Sequence, residues 1–285
     1  MTTVKTPPRS IASSSKQRSW IPAVLIGIGI AYLGLILYIP ALNVFYQAFK
    51  SGIGPFFSNL TRPDFIFAAQ LTVALAAIAV PLNTVFGLCA ALAVTRYKVP
   101  GRAFILSIID LPFSISPVVA GLMLVLLYGR QGWFGSFLQA HDIKIIFAFP
   151  GMVLATAFVS MPFVAREVIP VLEEVGLDQE EAAKTLGANG WQTFWRITLP
   201  SIRWGLLYGL ILTNARAMGE FGAVSVVSGN IARQTQSLPL FVEDTYKQYE
   251  TEVAYSAAVL LALLAVVTLV LKEILERKTR IKDVK

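Results

Sequence analysis

Six runs of apolar residues, each near the length of a membrane crossing, alternate with polar stretches along the 285-residue chain. They occupy 21–46, 66–95, 104–128, 145–164, 205–228 and 253–275. A helix needs about 20 apolar residues to cross the hydrocarbon. Backbone groups find no partner in lipid, so a segment of this kind satisfies its hydrogen bonds internally, as a helix. The pattern therefore predicts an all-α integral membrane protein with six transmembrane helices. The first run is too long for a signal-peptide core and lacks a small-residue cleavage site, so it is expected to remain as a span.

Composition agrees, with 55% hydrophobic residues, 14% charged residues and a mean hydropathy of +0.65. Residues 1–19, rich in Ser, Thr and Lys, read as a disordered tail, and 276–285 as a basic one. Of the 24 Lys and Arg residues, 17 flank one side of the predicted membrane and six the other, with Arg216 left inside a span. Excess Lys and Arg marks the cytoplasmic side. Both termini and the loop 165–204 are thus expected there, in a multi-pass protein of a bacterial inner membrane. The net charge of +7 is explained by this topology, and no nucleic-acid partner is implied. Cys89, the only cysteine, has no partner within the chain and lies in a span.

The loop 165–204 interrupts the apolar pattern and holds Glu181-Ala182-Ala183, then Gly187, then Ile197-Thr198-Leu199-Pro200. Asp178 and Glu181 are spaced as a capping box that starts a short helix. Gly187 is placed to end it in a left-handed cap, with Lys184 near the negative end. A second helix is expected from about Trp191, with Trp191, Phe194, Trp195 and Thr198 on one side and Pro200 ending it. Small Ala182 and Ala183 admit a close partner backbone, and Phe194 and Trp195 offer rigid apolar anchors. Read from the residues alone, the hairpin is either a docking element or an amphipathic pair lying on the bilayer.

No G-x-x-x-x-G-K-[S/T] phosphate loop occurs, so ATP hydrolysis by that route would belong to another chain. His141, the only histidine, stands beside Asp142 in a loop and assembles neither a metal cluster nor a catalytic triad. Gly205 and Gly209 have the spacing of a close helix contact. Three charges fall within spans: Asp110, Arg216 and Glu220. Such groups are costly in lipid and tend to face the bundle interior or a water-filled path. Arg216 lies eleven residues beyond Gly205, about 16 Å deep at 1.5 Å per residue. It shares a face with Glu220 at i, i+4, which makes the two a buried ion pair or a cation on an anion path. Asp110, ahead of Pro112 and Pro117, is expected to cap a re-formed helix or to pair with a basic residue.

The spacing of the loop, Glu-Ala-Ala, three residues, Gly, nine residues and Ile-x-Leu-Pro, resembles the EAA loop of ABC-importer permeases at every position. The run Asn214-Ala-Arg-Ala-Met-Gly-Glu-Phe-Gly-Ala-Val224, with Asp110-Leu-Pro-Phe and Pro117-Val-Val-Ala-Gly-Leu, is similar to permeases for tetrahedral oxyanions. Tyr97-Lys-Val-Pro-Gly-Arg102 is similar to them too. Gly151-Met-Val-Leu, Pro162-Phe-Val-Ala-Arg-Glu167 and Ser225-Val-Val-Ser-Gly229 resemble the W-type branch of the sulfate/thiosulfate importers. The likeness implies a type I ABC importer fold whose cytoplasmic loop carries a coupling helix. It also implies a separate ATPase docked through Glu181, Ala182, Ala183, Gly187, Phe194, Ile197, Leu199 and Pro200. ATP and magnesium would be held by that ATPase, and this chain would bind no cofactor of its own. A homologous T-type permease and an extracytoplasmic sulfate-binding protein would complete the assembly. A molybdate or tungstate importer of the same architecture stays open, as does an ion-coupled secondary transporter.

Overall fold

The computed structural model describes residues 20–97 and 100–280, so the expected tail 1–19 and the end of the basic tail, 281–285, lie outside it. The described elements are helical, with no strand among them. Two units divide the chain, Met1–Val44 and Phe45–Lys285. In the first, α1 (Ile21–Leu33), a π-type turn (Gly34–Tyr38) and the start of α2 (Ile39–Phe49) follow without a break. The Ile39 amide reaches back five residues to the Gly34 carbonyl just before Pro40. The wider turn absorbs a residue that has no N–H to give and whose ring would meet the preceding turn.

The second unit continues with α3 (Ile53–Leu60), α4 (Pro63–Arg96), α5 (Arg102–Ser114), α6 (Pro117–Tyr128) and α7 (Gly135–Ala140). Next come α8 (Phe149–Ser160), α9 (Pro162–Val175), α10 (Asp178–Thr185), α11 (Gly190–Thr193), a second π-type turn (Phe194–Thr198) and α12 (Leu199–Met218). The chain closes with α13 (Gly222–Ser228), α14 (Leu238–Lys247) and α15 (Thr251–Arg280). Four stretches are long and apolar enough to cross a membrane: Val24–Phe49, Pro63–Arg96, Phe149–Val175 and Thr251–Thr268.

Three expected spans differ in shape. The run 104–128 is the pair α5 and α6, bent by 109°. The cause is Pro117: a residue before proline is pushed out of the helical region, and Ser116 accordingly has ψ 135°. The run 145–164 starts later and continues through α9 to Val175, so Arg166 sits inside a helix and not in the loop. The run 205–228 stops at Met218 and restarts at Gly222. Arg203, Asn214 and Arg216 also make α12 less apolar than the other expected crossings.

Of these helices, α4 is the one that enters all three apolar clusters. Leu71 and Leu75 join Met152, Ala155 and Val159 of α8 with Ala223, Val224 and Val227 of α13. Phe65 and Ala68 join Leu238 and Phe241 of α14 with Ala257 of α15. Ala91 meets Val164, Val168 and Leu172 of α9 with Ile202 of α12. In lipid, close packing and hydrogen bonds hold helices together, because the tails are as apolar as leucine. Val164 is closed in by two glycines: a Cβ on Gly87 would stand 2.7 Å from its Cβ, and one on Gly209 would stand 3.0 Å from its Cα. Asn83 of α4 adds bonds from Nδ2 to the Ala157 carbonyl (3.0 Å) and the Ser160 hydroxyl (2.8 Å) of α8.

Candidate functional site

The segment after α9 folds into a hairpin that begins with α10 and turns at Gly187. That glycine has φ +84°, where a side chain would be strained. Ala188 donates its amide to the Ala183 carbonyl and Gly187 to the Lys184 carbonyl, both at 3.0 Å, the paired bonds of a Schellman end. Asn189 opens α11. Its Oδ1 accepts from the Gln192 amide at 2.8 Å, while the Gln192 Oε1 accepts from the Asn189 amide at 3.0 Å.

The capping box therefore lies at Asn189–Gln192 and not at Asp178–Glu181. Asp178 is the first residue of α10, whose cap, Leu177, lends only its carbonyl to the Glu181 amide. Asp178, Glu180 and Glu181 still place three carboxylates in the first turn, where the helix dipole favours them. Nor does Pro200 end the second helix. The π-type turn just before it, closed by the Leu199 amide on the Phe194 carbonyl, lets the chain pass into α12.

Of the motif residues, Glu181, Ala182, Gly187 and Pro200 are exposed, Phe194, Ile197 and Leu199 are partly buried, and Ala183 is buried. Only Ala182 of the two alanines thus faces outward. Thr198, expected beside the aromatic residues, points inward instead. Leu186 is 88% exposed at the turn, and Trp191 and Trp195, edge to face at 5.6 Å, extend the apolar surface. Phe194 braces both tryptophans from behind, at 6.2 and 5.5 Å. An exposed group of aromatic residues with a rim of charge is the composition of a protein contact.

Behind this surface lies a contact that the motif does not reveal. Arg96, last residue of α4, pairs through Nε with Glu180 Oε1 at 2.9 Å, with side-chain exposures of 9% and 11%. Its Nη1 donates to the Leu172 carbonyl in the last turn of α9 at 3.0 Å. Thr198 donates to the same Glu180 oxygen at 3.0 Å. One arginine and one carboxylate thus join α4, α9, α10 and the helix after the turn. Close by, Arg102 pairs with Glu173. Glu180 stands one place before the motif and Arg96 is 84 residues away, and no local spacing links them. The available signal is weak: a basic residue in the last turn of a long apolar helix.

The charges within the apolar segments are paired. Arg216 Nη1 stands 2.7 Å from Glu220 Oε2. Glu220 also accepts from the Ala223 amide at 2.8 Å, so it caps α13 across the break. The arginine sits at the C-terminus of α12 and the carboxylate at the N-terminus of α13, each near the helix end that favours its sign. The side chains differ in access: Glu220 is 1% exposed and Arg216 31%. Asp110 does not cap a re-formed helix. Chain continues helically past it to Ser114, and its Oδ1 accepts from Arg166 Nε at 2.7 Å. The Arg166 guanidinium lies 4.5 Å from the centre of the Phe113 ring, which meets Phe163 edge to face at 5.1 Å.

A cavity of about 440 Å³ opens between α4, α6 and α8, but Leu82, Phe86, Met123, Leu127 and Phe158 make its wall apolar. An anion would lose its hydration there with little in return. His141 Nδ1 is 2.9 Å from the Phe137 carbonyl, and its ring leans on Phe137. Among the described residues no group of His, Cys, Asp and Glu is arranged to hold a metal.

The family described as binding-protein-dependent transport system inner membrane component matches residues 83–281. Over 271 residues the chain is 63% identical to the sulfate transport system permease protein CysW of Synechococcus elongatus, with 95% of each chain covered. It is 52% identical to CysW of Escherichia coli over 258 residues, covering 90% of this chain and 89% of that one. The CysT permease of Escherichia coli is 38% identical over 239 residues, 83% of this chain and 86% of its own. In fold, the chain resembles one in the crystal structure of a bacterial alginate ABC transporter in complex with an alginate pentasaccharide-bound periplasmic protein. The TM-score is 0.77 over 92% of this chain and 96% of that one, at 19% identity.

Proposed function

Because the chain belongs to the family of binding-protein-dependent transport system inner membrane components, we infer that it is the membrane permease subunit of an ATP-driven importer of sulfate and thiosulfate. The observation that carries this reading is the hairpin, which presents Glu181, Ala182 and the Leu186, Trp191 and Trp195 surface on a base fixed by Arg96 and Glu180. A carboxylate beside exposed aromatic residues suits docking into a groove on an ATPase, where ATP and magnesium are bound. The substrate rests on the sulfate permeases that share 52% to 63% of their residues with this chain over nearly its whole length.

In this reading the hairpin faces the cytoplasm, and a T-type permease forms the second half of the pore. A binding protein on the far side delivers the anion. Closure of the ATPases moves the hairpins and opens the pore between the two permeases to one side and then the other; each state differs in its contacts, as a two-state coupling requires. Arg216 is the cation offered to the anion. Its exposed edge is open to a path while Glu220, buried beneath it, fixes its position. The carboxylate keeps the site weak, and an anion that enters also leaves.

Uptake of radiolabelled sulfate in a strain lacking this chain, with and without the chain restored, tests the substrate. Restored uptake that unlabelled thiosulfate blocks and molybdate barely touches supports sulfate. Restoration of molybdate uptake alone overturns the substrate and leaves the importer architecture standing.

A further inference from the structure

We propose that Arg96 is a positioning residue for energy coupling: through Glu180 it fastens the ATPase-docking hairpin to α4, and α4 carries the hairpin's movement to the opposite rim of the protein. The proposal rests on the docking role given to the hairpin above.

The geometry has three parts. First, the contact is buried and branched. A lysine would supply one donor group, whereas the arginine fork reaches Glu180 and the Leu172 carbonyl at the same time, at 2.9 and 3.0 Å. Its remaining nitrogen, Nη2, is buried without a partner, so the fork is held by these two acceptors alone. Thr198 closes on the same Glu180 oxygen from beyond the Gly187 turn. Both arms of the hairpin therefore meet at Glu180, which Arg96 holds at the end of α4, and push or pull on α10 reaches α4 without first bending the turn.

Second, α4 is continuous. Its 34 residues run from Pro63 to Arg96, and it contributes to each of the three apolar clusters. Third, its other end is also tied. Asp64 pairs with Arg233, and Arg62, just ahead of the helix, pairs with Glu250 at 2.5 Å. In the third turn of the same end, the Thr72 hydroxyl accepts from the Leu238 amide at the start of α14 at 2.8 Å. Arg233 belongs to the segment between α13 and α14, where the Thr235 hydroxyl donates to the Ser228 carbonyl at the end of α13 at 2.6 Å. A displacement of α4 along its axis thus meets α13, whose first turn Glu220 caps beside Arg216. Spatial order alone is not coupling; what makes this chain of contacts a candidate is a helix fixed at both ends.

The test uses the complete assembly in proteoliposomes, this chain with its partner permease, ATPase and binding protein, with sulfate entry and phosphate release followed together. Arg96→Met with Glu180→Leu removes both charges and leaves neither one buried alone. The ATPase is expected to stay bound at its normal stoichiometry, while sulfate moved per ATP hydrolysed falls by about tenfold, within the usual range of coupling between sites. A merely structural pair would lower the yield of the complex and leave that ratio unchanged, so a normal ratio overturns the proposal. Loss of the ATPase from the complex also overturns it, because the pair would then shape the docking surface and not transmit from it. If the double variant fails to insert, Arg96→Lys decides. The ammonium lacks the rigid fork whose separate nitrogens meet Glu180 and the Leu172 carbonyl, and the ratio is expected to drop about fivefold; an unchanged ratio rejects the role. Failure of the docking role itself is seen separately, as a Glu181→Lys protein that retains the ATPase.

Discussion

Glu180 and Glu181 are neighbours with opposite tasks: one is buried against Arg96 and Thr198, and the other stands free on the outer face of the same helix. A helix turns by about 100° per residue, so adjacent side chains leave it on different sides. Glu181→Lys reverses the charge of the exposed one. It is expected to abolish co-purification of the ATPase and sulfate uptake while the chain still inserts at normal levels. Glu220→Ala acts on stability instead. It strips the cap from α13 and leaves the partly exposed Arg216 without its counter-ion, and the lost cap alone costs roughly 0.5–2 kcal/mol. A lowered unfolding midpoint of the detergent-purified protein, partly recovered in Glu220→Gln, is the expected result. The Arg216–Glu220 pair was legible in the sequence, since an i, i+4 spacing on a helix puts both residues on one face. Asp110–Arg166 and Arg96–Glu180 were not, because their partners are 56 and 84 residues apart and meet only when helices pack.

Among the elements, the hairpin depends on its glycine. Gly187→Ala keeps the size of the turn but puts a Cβ at φ +84°, a cost of about 1–2 kcal/mol. The Schellman bonds should open and the angle between α10 and the following helix relax, so ATPase affinity falls by about tenfold while membrane insertion is unchanged. Gly87→Ala tests the crossing of α4 and α9. The new methyl group would stand 2.7 Å from Val164 Cβ and 2.9 Å from the Ala165 nitrogen, so the helices must part. Overpacking of this kind costs about 1–3 kcal/mol, read as a lower unfolding midpoint. Apolar periodicity made most of the helices legible, and glycine spacing made the Gly205–Gly209 contact legible. The breaks were harder. Pro117 announces the bend at Ser116 to a reader who asks what the preceding residue is allowed to do. The gap at 219–221 has no proline, and it is held open by Glu220 bonding to an amide three residues ahead. Pro200 misled in the other direction, because a π-type turn can carry a proline that an α-helix would reject.

For the molecule as a whole, the distribution of Lys and Arg predicts that the hairpin lies on the cytoplasmic side, and Leu186 offers a direct check. With Cys89 replaced by alanine, a Leu186→Cys protein should react with a membrane-impermeant maleimide in inside-out vesicles and not in intact cells, and bound ATPase should protect it. Labelling from the outside would reverse the topology. The charge bias was open to reading because it needs no tertiary contact, only a count along the chain. The fastening of α4 at both ends was not, since it joins residues from four parts of the sequence. That helix carries one further consequence. At 1.5 Å per residue its 34 residues reach about 51 Å, well beyond a hydrocarbon layer of about 30 Å. Both tethered ends keep clear of the acyl chains in a bilayer several ångströms thicker or thinner, since a helix with length to spare adjusts by tilting. Transport should therefore tolerate changes in lipid chain length, and vesicles made with short and with long acyl chains should yield the same amount of sulfate per ATP.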